Sequence, residues 1–426
     1  MAAREFVFTL LGTGGDVLPG LRIARELRRR GHGVCVLAPE PFAERARSGG
    51  LAFEAIDARA AWLSDLQDPA YWGPDGTRLG LAPGGYLHRP AQPAFDHVAG
   101  RAAQAPLLVC TRNAYGARFA AERFGLDCLC LGYSSTQFFD VGRLPYRHAV
   151  LRRAPRRLQA ALLRWGDRAT DAAVLPGLNA LRARFALPAV DRFRAWSFFR
   201  HAGLALYPAW YDDVRALAPA GVRQAGFVFA HEADDGPLPP ALERFLADGP
   251  APVVFTFGTG VAHVAARFEA ALAMVARTSR RAIFVSRFEA NVPAAARTHP
   301  RVHVVDEVDF AALLPRCAAI VHHGGIGTAA QAVRAEIPQV IAPIAYDQPD
   351  NGHRFQALGL ARLLPHRRVD AAGIGRAVAA AIGRTDRALL RDLGGRLRAD
   401  DGAASAADIC ERIAAQGARE AVELDQ

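Results

Sequence analysis

The chain has 426 residues, of which 51% are hydrophobic and 22% charged, so it is long enough for two domains and too apolar to be disordered. No apolar run approaches the roughly 20 residues that a membrane-spanning helix needs. All the positive charge behind the net +10 is arginine, since the sequence contains no lysine, and it favours anionic partners without choosing among them. Basic stretches interleaved with aromatic residues are absent, which argues against a nucleic-acid partner.

The chain opens on a strand and a glycine turn rather than on the basic and apolar segments of a signal peptide, so we expect a cytoplasmic protein. The six cysteines are scattered, and most lie in apolar strand-like runs, so neither disulfides nor a zinc site is expected. The closest pair, Cys128 and Cys130, is predicted to lie on one face of a strand.

Apolar strands alternate with amphipathic helices from the start of the chain, which predicts βαβ units with a parallel sheet. Strands are predicted in EFVFTLLG, GVCVLAP, PLLVC and LDCLCLG, and a helix in VLPGLRIARELRRRG buries Leu21, Ala24 and Leu27. Residues 57–105 are rich in glycine, proline and aromatic side chains, and they are predicted to form a long irregular region of the kind that builds binding surfaces.

A second series begins after a helical, arginine-rich stretch at 143–200 and a proline-rich, acidic connection at 231–252. Its strands are predicted in PVVFTFGTG, AIFVSRF, RVHVVDEV and AAIVHH, and GAASAADICERIAAQ is a last helix. Two βαβ series separated by one linker predict an α/β protein with two Rossmann-like, doubly wound domains.

The strongest functional pattern is AIVHHGGIGTAAQAV (319–333), in which an apolar strand, a glycine turn and an alanine-rich helix follow one another. Glycines let the backbone approach a ligand, and the first turn of the helix offers its amide groups and the positive end of its dipole. This arrangement suits a diphosphate. The residues predicted to line that site are His322, Gly324, Gly325, Gly327 and Thr328, with His323 as a further candidate.

The continuation, EIPQVIAPIAYDQPDN (336–351), is a further strand followed by Asp347, Gln348 and Asn351. Their carboxylate and amide groups can hold sugar hydroxyls, and they follow a neighbouring strand, at the edge where doubly wound folds bind ligands. The alternative is a glycine-rich packing turn beside ordinary polar residues at strand ends.

Because His-x-Gly-Gly-x-Gly-Thr and Asp-Gln occur in this order, the chain resembles the GT-B-fold nucleotide-sugar glycosyltransferases of the UDP-glycosyltransferase-like superfamily. The resemblance implies two Rossmann-like domains facing a deep interdomain cleft. The acceptor-binding domain would span 1–229 and the donor-binding domain 230–400, while the C-terminal helix at 401–426 would pack back toward the first domain.

The resemblance also assigns roles. His322 and the loop glycines would hold the donor pyrophosphate, and Asp347 with Gln348 would hold the donor sugar. Gly258 and Thr259, after the second series' first strand, match the family's Phe-Gly-Ser turn over the phosphates. No cofactor is implied beyond the nucleotide diphosphate sugar as co-substrate, and no metal, because the helix dipole and His322 would stabilise the leaving diphosphate.

The N-terminal turn LLGTGGDV corresponds to the family's Gly-Ser-x-Gly-Asp-Val segment, with Gly14 and Gly15 in the turn and Asp16 as the candidate catalytic base. The alternative is that Asp16 only caps the helix it opens. An NAD site is not favoured, because the glycines do not complete Gly-x-Gly-x-x-Gly and no acidic residue ends the second strand. His32, in the turn RGHGV, is interpreted as structural.

Within the superfamily, DPAYWGP (68–74), LALYPAWYDD (204–213) and DQPDN are most similar to the bacterial rhamnosyltransferases of rhamnolipid assembly, although His323 replaces an expected proline. That similarity implies a dTDP-activated rhamnose as the donor and a hydroxyacyl lipid as the acceptor. More broadly, we expect transfer of a hexose, rhamnose or glucose, to a small hydrophobic or lipid acceptor. The alternatives are a nucleotide-sugar epimerase of the same fold and a non-catalytic partner of another glycosyltransferase.

Residues 143–168 combine eight arginines with leucines and Trp165, as a helix at a membrane interface would, which predicts peripheral contact with the inner face of the membrane. The alternative is a solvated helical face. The sequence does not predict an oligomeric state.

Overall fold

The structure, a computed structural model, describes residues 3–73, 75–138, 144–145, 148–199, 201–214, 221–229, 238–258 and 263–416. The chain divides into two compact units: Met1–Ala230 together with Gly402–Gln426, and His231–Asp401. The domain boundaries expected from the sequence, 229/230 and 400/401, each lie one residue before the boundaries of these units. Within the described ranges, no helix is both long and apolar enough to cross a membrane.

The sheet of the first unit is parallel throughout, and its strand order is β3-β2-β1-β4-β5-β6-β7. In the described residues these strands are β1 (Glu5–Thr9), β2 (Gly33–Pro39), β3 (Ala52–Asp57), β4 (Leu107–Thr111), β5 (Cys128–Gly132), β6 (Ala202–Ala205) and β7 (Val222–Gln224). Every residue of β4 and β5 is buried, as a strand covered by helices on both faces requires. The order reverses between β1 and β4, and the carboxyl ends of strands at such a reversal are where doubly wound folds bind ligands.

Helices cover this sheet. In the described residues they are α1 (Gly14–Arg29), α2 (Ala43–Ser48), α3 (Arg59–Gln67), α4 (Gly76–Leu81), α5 (Ala91–Ala99), α6 (Tyr115–Phe124), α7 (Ala149–Arg152), α8 (Arg156–Ala183) and α9 (Phe193–Phe199). The predicted inner face of α1 is confirmed, because Leu21, Ala24 and Leu27 are all buried.

The prediction of a long irregular region at 57–105 is wrong, because α3, α4 and α5 lie within it. Each of these helices has nine residues or fewer, so none shows a long periodic pattern. The glycines and prolines that suggested a loop mark helix ends instead: Pro90 precedes α5 and Gly100 follows it. The aromatic side chains are half-buried and contact one another, as in the edge-to-face contact of Tyr71 with Tyr86.

The sheet of the second unit is also parallel, with the order β10-β9-β8-β11-β12-β13 and a reversal between β8 and β11. Its described strands are β8 (Val253–Thr256), β9 (Ala282–Val285), β10 (Val302–Val305), β11 (Ala319–His322), β12 (Gln339–Ile341) and β13 (Ala361–Leu363). Its described helices are α10 (Pro240–Ala247), α11 (Ala265–Ala276), α12 (Ala294–Thr298), α13 (Phe310–Leu313), α14 (Ile326–Arg334), α15 (Gln348–Ala357), α16 (Ala371–Arg384) and α17 (Arg387–Ala399). The two sheets therefore repeat one doubly wound plan.

The last described helix, α18 (Gly402–Gln416), belongs to the first unit and packs against α1. Arg30 at the end of α1 donates hydrogen bonds to Asp408 at 2.6 Å and to Glu411 at 2.9 Å. The buried His32 accepts a hydrogen bond from the Arg4 backbone at Nδ1, and its Nε2 donates to Glu411 at 2.8 Å. His32 thus ties α18 to the first unit, in agreement with its structural interpretation.

All six cysteines are free thiols. Cys128 and Cys130 are buried in the same hydrophobic cluster, so the prediction that they share one face of a strand is confirmed. In that environment they act as small apolar side chains.

Candidate functional site

Two glycine turns lie at the carboxyl ends of β8 and β11, the strands that flank the reversal in the second unit. Gly258 follows β8 with φ +99°, and Gly324 follows β11 with φ +94°, a backbone conformation that favours glycine. The His323 ring lies between the turns: a Cβ added at Gly258 would be 3.1 Å from His323 Nε2, and one added at Gly325 would be 2.6 Å away. The two turns and one imidazole therefore form a single site.

His322 is fully buried and has both ring nitrogens engaged. Its Nδ1 accepts a hydrogen bond from the Gly324 N–H at 3.1 Å, and its Nε2 donates to Gln339 Oε1 at 2.9 Å. The Gln339 amide in turn donates to the Ala329 carbonyl of α14 at 3.4 Å. Burial lowers the pKa of His322 to about 4, so the ring is neutral near pH 7. The prediction that His322 itself contacts a diphosphate does not agree with these bonds, because no ring nitrogen is left to donate.

His323, the secondary candidate of the sequence, keeps unused hydrogen-bonding capacity. Its Nδ1 is buried and has no hydrogen-bond partner in the described part of the chain. Burial, with smaller contributions from His322 and Arg267, lowers the pKa of His323 to about 3. The site thus holds a neutral imidazole whose Nε2 lies beside the two glycine turns and whose buried Nδ1 has no partner among the described residues.

The N-terminus of α14 supplies the amide groups of the site. The helix begins at Ile326 after its N-cap residue Gly325, and Gly327 and Thr328 complete the first turn. Backbone N–H groups in a first turn have no acceptor within the helix, and they carry the positive end of its dipole. A Cβ added at Gly327 would have no atom within 4 Å, so the backbone there faces open space. An anion can approach these amides directly.

Asn351 joins this turn to the next one along the sheet. It is fully buried, and its Nδ2 donates to the Gly324 carbonyl at 2.9 Å and to Asp347 Oδ2 at 2.8 Å. The side-chain oxygen of Gln348, Oε1, accepts hydrogen bonds from the Ile344 and Ala345 backbone N–H groups at 2.9 and 3.0 Å. Both lone pairs of that oxygen are therefore used, which leaves the amide NH₂ of Gln348 as the group that can serve a ligand.

Sequence reasoning missed two residues that support the site. Gln339, which holds His322, is a polar residue in the apolar strand IPQVIAPI, and that exception was the available signal. Arg267 on α11 donates to the Ala342 and Pro343 carbonyls at 2.8 and 2.9 Å, just before the Asp347 turn. No pattern around Arg267 indicates this contact, which spans 75 residues.

Asp16 lies at the corresponding edge of the first unit, in the first turn of α1 after β1. Its Oδ2 accepts a hydrogen bond of 2.8 Å from the N–H of Thr13, the N-cap residue. The carboxylate folds over Gly12, which has φ +129° and no room for a Cβ. The alternative that Asp16 itself caps the helix is wrong, because Thr13 is the N-cap residue and Asp16, in the first turn, is its partner in a capping box.

Two aromatic side chains hold the same turn. The Trp62 indole N–H donates to the Gly12 carbonyl at 3.0 Å, and the Tyr133 hydroxyl donates to the Asp16 carbonyl at 2.5 Å. Burial raises the pKa of Tyr133 well above its ordinary value, so the phenol keeps the proton that it donates.

The predicted residues thus fall into two groups. Gly258, the loop after β11 and the Asp347 turn lie together in the second unit, whereas Gly14, Gly15 and Asp16 lie in the first turn of α1 in the first unit. Thr259 lies outside the described residues. In the described part of the chain, no three His, Cys, Asp or Glu side chains cluster as a metal site would require.

Both units match known sequence families. Residues 6–131 match the glycosyltransferase family 28 N-terminal domain, and residues 271–415 match the erythromycin biosynthesis protein CIII-like C-terminal domain. The chain is 28% identical to O-mycaminosyltylonolide 6-deoxyallosyltransferase of Streptomyces fradiae, over 95% of this chain and 96% of the relative. It is 26% identical to the vancomycin aglycone glucosyltransferase of Amycolatopsis orientalis, over 82% and 83%.

The fold also matches solved structures. The crystal structure of the kitacinnamycin glycotransferase superposes with a TM-score of 0.73 at 19% identity, over 97% of this chain and 99% of that one. Such a match extends over both parallel sheets, so it establishes the two-domain plan for the whole chain.

Proposed function

Since the chain belongs to the GT-B glycosyltransferases of the UDP-glycosyltransferase-like superfamily, we propose that it is an inverting, metal-independent hexosyltransferase. It moves a sugar from a nucleotide diphosphate to a hydroxyl of a small hydrophobic or lipid acceptor. The observation that carries this proposal is the joint placement of Gly258, His323 and the α14 N-terminus at the reversal of the second sheet.

The donor diphosphate would bind the first-turn amides of α14. Gly327 presents its backbone to open space, and the His323 ring places its Nε2 beside Gly258 and Gly325. These neutral donors and the helix dipole stabilise the charge that develops as the diphosphate leaves, which is the role a metal plays in other transferases. His322 and Gln339 would act as positioning residues that hold Gly324 in place.

The donor sugar would bind Asp347 and Gln348. Asn351 bonds to both the Asp347 carboxylate and the Gly324 carbonyl, so it would set the distance between the sugar and diphosphate subsites. The S. fradiae relative is named for a 6-deoxyallosyl donor and the A. orientalis relative for a glucosyl donor. A 6-deoxyhexose, of which rhamnose is one, and glucose are accordingly the first donor sugars to test.

Asp16 would serve as the base. Its carboxylate takes the proton of the acceptor hydroxyl as the oxygen forms a bond to the anomeric carbon, and the carbon–diphosphate bond breaks on the opposite face. The Thr13 N–H and the aromatic residues around the turn would hold this carboxylate in one orientation.

A donor screen tests the proposal first. We expect dTDP-rhamnose or UDP-glucose to raise the unfolding midpoint, because a ligand at 100 times its dissociation constant adds roughly 2.7 kcal/mol to the free energy of unfolding. Transfer with inversion would appear by NMR as a product whose anomeric configuration is opposite to that of the donor. Absence of binding to every nucleotide sugar in the panel would contradict the proposal.

The Asp16→Asn variant then tests the base. Asparagine keeps an oxygen that can accept from the Thr13 N–H, so we expect donor binding and stability to persist while turnover falls at least 100-fold. Asp16→Ala is the matched variant: it loses turnover and also about 1 kcal/mol of capping energy. An Asn variant with full turnover would show that Asp16 is only a cap.

The same assays separate the two competing functions. A nucleotide-sugar epimerase would convert the donor when no acceptor is present, whereas the transferase releases nucleoside diphosphate only when an acceptor is added. A non-catalytic partner would bind the donor but release no diphosphate with any acceptor, and the Asp16→Asn substitution would change nothing.

A further inference from the structure

A group of three polar side chains in the first unit has no part in the transfer proposed above. Cys35 lies on β2, Glu54 on the neighbouring strand β3, and His97 on α5. Cys35 pairs with Val7 in the middle of β1, whereas the Asp16 turn follows the end of that strand. The group is therefore separate from the candidate base.

His97 connects the other two side chains through opposite ring nitrogens. Its Nε2 lies 3.5 Å from Cys35 Sγ, and its Nδ1 lies 2.5 Å from Glu54 Oε2. Because an ionised carboxylate can only accept, Nδ1 carries the proton of the neutral ring, and Nε2 is left to accept from the thiol. A nucleophile, a base and a group that orients the base occur in this order in enzymes that use an activated nucleophile. The three groups form a line, so they do not converge as metal ligands would.

Cys35 differs from the other cysteines in its exposure, because it is partly exposed. The other five are buried, namely Cys110, Cys128, Cys130, Cys317 and Cys410. Since β2 pairs with a strand on each side, its backbone is covered, and the exposed area of Cys35 belongs to its side chain. The Glu54 side chain is 52% exposed and that of His97 is 2% exposed. A small molecule in solvent can thus reach the thiol, while the imidazole is held inside.

The surroundings keep the thiol protonated until it reacts. Burial raises the pKa of Cys35, the positive charge of Arg101 opposes this rise, and Glu54 and Glu5 add to it. Burial also lowers the pKa of His97, although Glu54 acts in the opposite direction, so the imidazole is neutral near pH 7. A neutral thiol beside a neutral imidazole loses its proton only as it attacks, and its reactivity depends on that base.

We propose that Cys35 is a site of covalent modification by small carbon electrophiles, with His97 as its general base and Glu54 as the group that orients His97. The sulfur electron pair forms a bond to the electrophilic carbon, and the bond from that carbon to its leaving group breaks. The leaving group departs with the electron pair of the broken bond. The thiol proton passes to His97 Nε2, and the Glu54 carboxylate stabilises the imidazolium until water takes the proton.

Alkylation of the full chain by iodoacetamide tests the proposal. Mass spectrometry of the native protein should find one alkylated cysteine, Cys35, whereas protein denatured in guanidinium should be alkylated at all six. His97→Gln should slow the alkylation of Cys35 at pH 7 by about 10-fold or more, because an amide cannot take the proton. Glu54→Gln should also slow it, by a smaller factor, because the amide oxygen can still accept from Nδ1 but carries no charge.

The pH dependence separates base catalysis from simple exposure. A thiol without a base reacts as its thiolate, so its rate rises about 10-fold per pH unit below its pKa. With neutral His97 as the base, the wild-type rate should change less than about 2-fold between pH 7 and 8, whereas His97→Gln should show the steep rise. The other charged groups beside the thiol, Arg101 and Glu5, are of types that titrate far outside this range.

Two controls accompany these variants. His88→Gln removes another histidine of the same unit and should leave the rate unchanged. A His97→Gln variant that fails to fold would be alkylated at the buried cysteines, and then Glu54→Gln and the wild-type pH profile decide. Native Cys35 that stays unlabelled, that reacts with the steep pH dependence, or that reacts equally fast in both folded variants would overturn the proposal.

The result is independent of the proposed transferase activity. Cys35→Ser should remove the single label and leave nucleotide-sugar binding unchanged, because Cys35 lies in the unit that does not contain the α14 turn. Donor binding without alkylation of Cys35 would overturn only the modification site. Base-dependent alkylation without donor binding would overturn only the proposed function.

Discussion

At the scale of single residues, two glycines that follow β11 differ in the space that surrounds them. Gly324 has φ +94°, and a Cβ there would lie 2.7 Å from Ile341 Cγ2, whereas a Cβ at Gly327 would meet no protein atom. We expect Gly324→Ala to lower the free energy of unfolding by roughly 1–3 kcal/mol and to abolish donor binding. Gly327→Ala should keep the stability but weaken donor binding at least 10-fold, because its methyl group would occupy the space of the diphosphate.

Chemical denaturation and nucleotide-sugar titration of the two variants check this prediction. Gly395→Ala, at a glycine of α17 in the same unit with room for a Cβ, is a control that should leave both quantities unchanged. Tight donor binding by Gly327→Ala would show that the diphosphate lies elsewhere.

The two histidines predict how donor affinity depends on pH. The pKa of His322 is about 4 and that of His323 about 3, so neither gains a proton above about pH 5.5. A nucleotide sugar keeps both phosphate charges over this range. We therefore expect its dissociation constant, measured by calorimetry, to be constant between pH 5.5 and 8.5. A cationic histidine with an ordinary pKa would instead tighten binding as the pH falls through 6.5.

The low pKa values of the two buried histidines also make the free energy of unfolding depend on pH. An unfolded histidine binds a proton near pH 6.5, while folded His322 binds one only near pH 4. Between these values the unfolded chain holds more protons, so the free energy of unfolding falls as the pH falls from about 6.5 toward 4. An unfolding midpoint that rises on acidification over this interval would contradict the assignment of buried, neutral rings.

The sequence predicts the turn after β11, but it does not predict which of the two histidines has a ring nitrogen without a hydrogen-bond partner. Which imidazole keeps a free nitrogen depends on Gln339, a residue of the next strand that approaches His322 only after the sheet has formed. Spacing along one segment contains no information about that contact. Residue types at strand ends could be predicted, whereas hydrogen bonds between strands could not.

At the scale of elements, the helix α8 has apolar side chains on one face that are exposed in the described part of the chain. Leu158 and Trp165, seven residues apart, are 49% and 71% exposed, while Val174 and Leu178 on another face are buried. Arg157 and Arg164, which directly precede Leu158 and Trp165 in the sequence, are also exposed. A row of arginines beside an apolar stripe is typical of helices that lie at an anionic membrane surface.

We expect the protein to sediment with phosphatidylserine vesicles but not with phosphatidylcholine vesicles, and a salt concentration of about 0.5 M should weaken the association. Trp165→Ser and Arg164→Ser should each reduce it, because an arginine near an anionic surface contributes about 1 kcal/mol. Arg391→Ser, an exposed arginine of the second unit, is the control. Association that is absent or insensitive to salt would favour a solvated helical face.

Element prediction succeeded where the chain is apolar over several turns or a whole strand, as in β1, α1 and β11. It failed at 57–105, where helices of nine residues or fewer are too short to show a long periodic pattern and are held by tertiary contacts such as the Trp62 hydrogen bond to Gly12. The edge strand β3 is also hard to predict from the sequence, because its side chains are largely exposed and form no apolar run.

At the scale of the whole molecule, Gly402 is the point where the chain rejoins the first unit. A Cβ there would collide with the Phe227 carbonyl, so the start of α18 can pack against this carbonyl only if residue 402 is a glycine. We expect Gly402→Ala to lower the free energy of unfolding of the first unit by roughly 1–3 kcal/mol and to leave the second unit unchanged. Calorimetry with and without a nucleotide sugar would resolve the two units.

Gly383→Ala, in α16 and with open space around its Cα, is the matched control and should not be destabilising. A single cooperative transition that is unaffected by Gly402→Ala would count against the importance of this contact.

The return of α18 also governs how halves of related enzymes can be exchanged. Because residues 402–416 complete the first unit, a hybrid gene with one junction near residue 230 would combine residues 1–230 of one enzyme with the last helix of the other. The pairings of Arg30 and His32 with that helix would then be mismatched. A swap that respects the architecture needs a second junction near residue 401, so that only the middle of the gene is replaced.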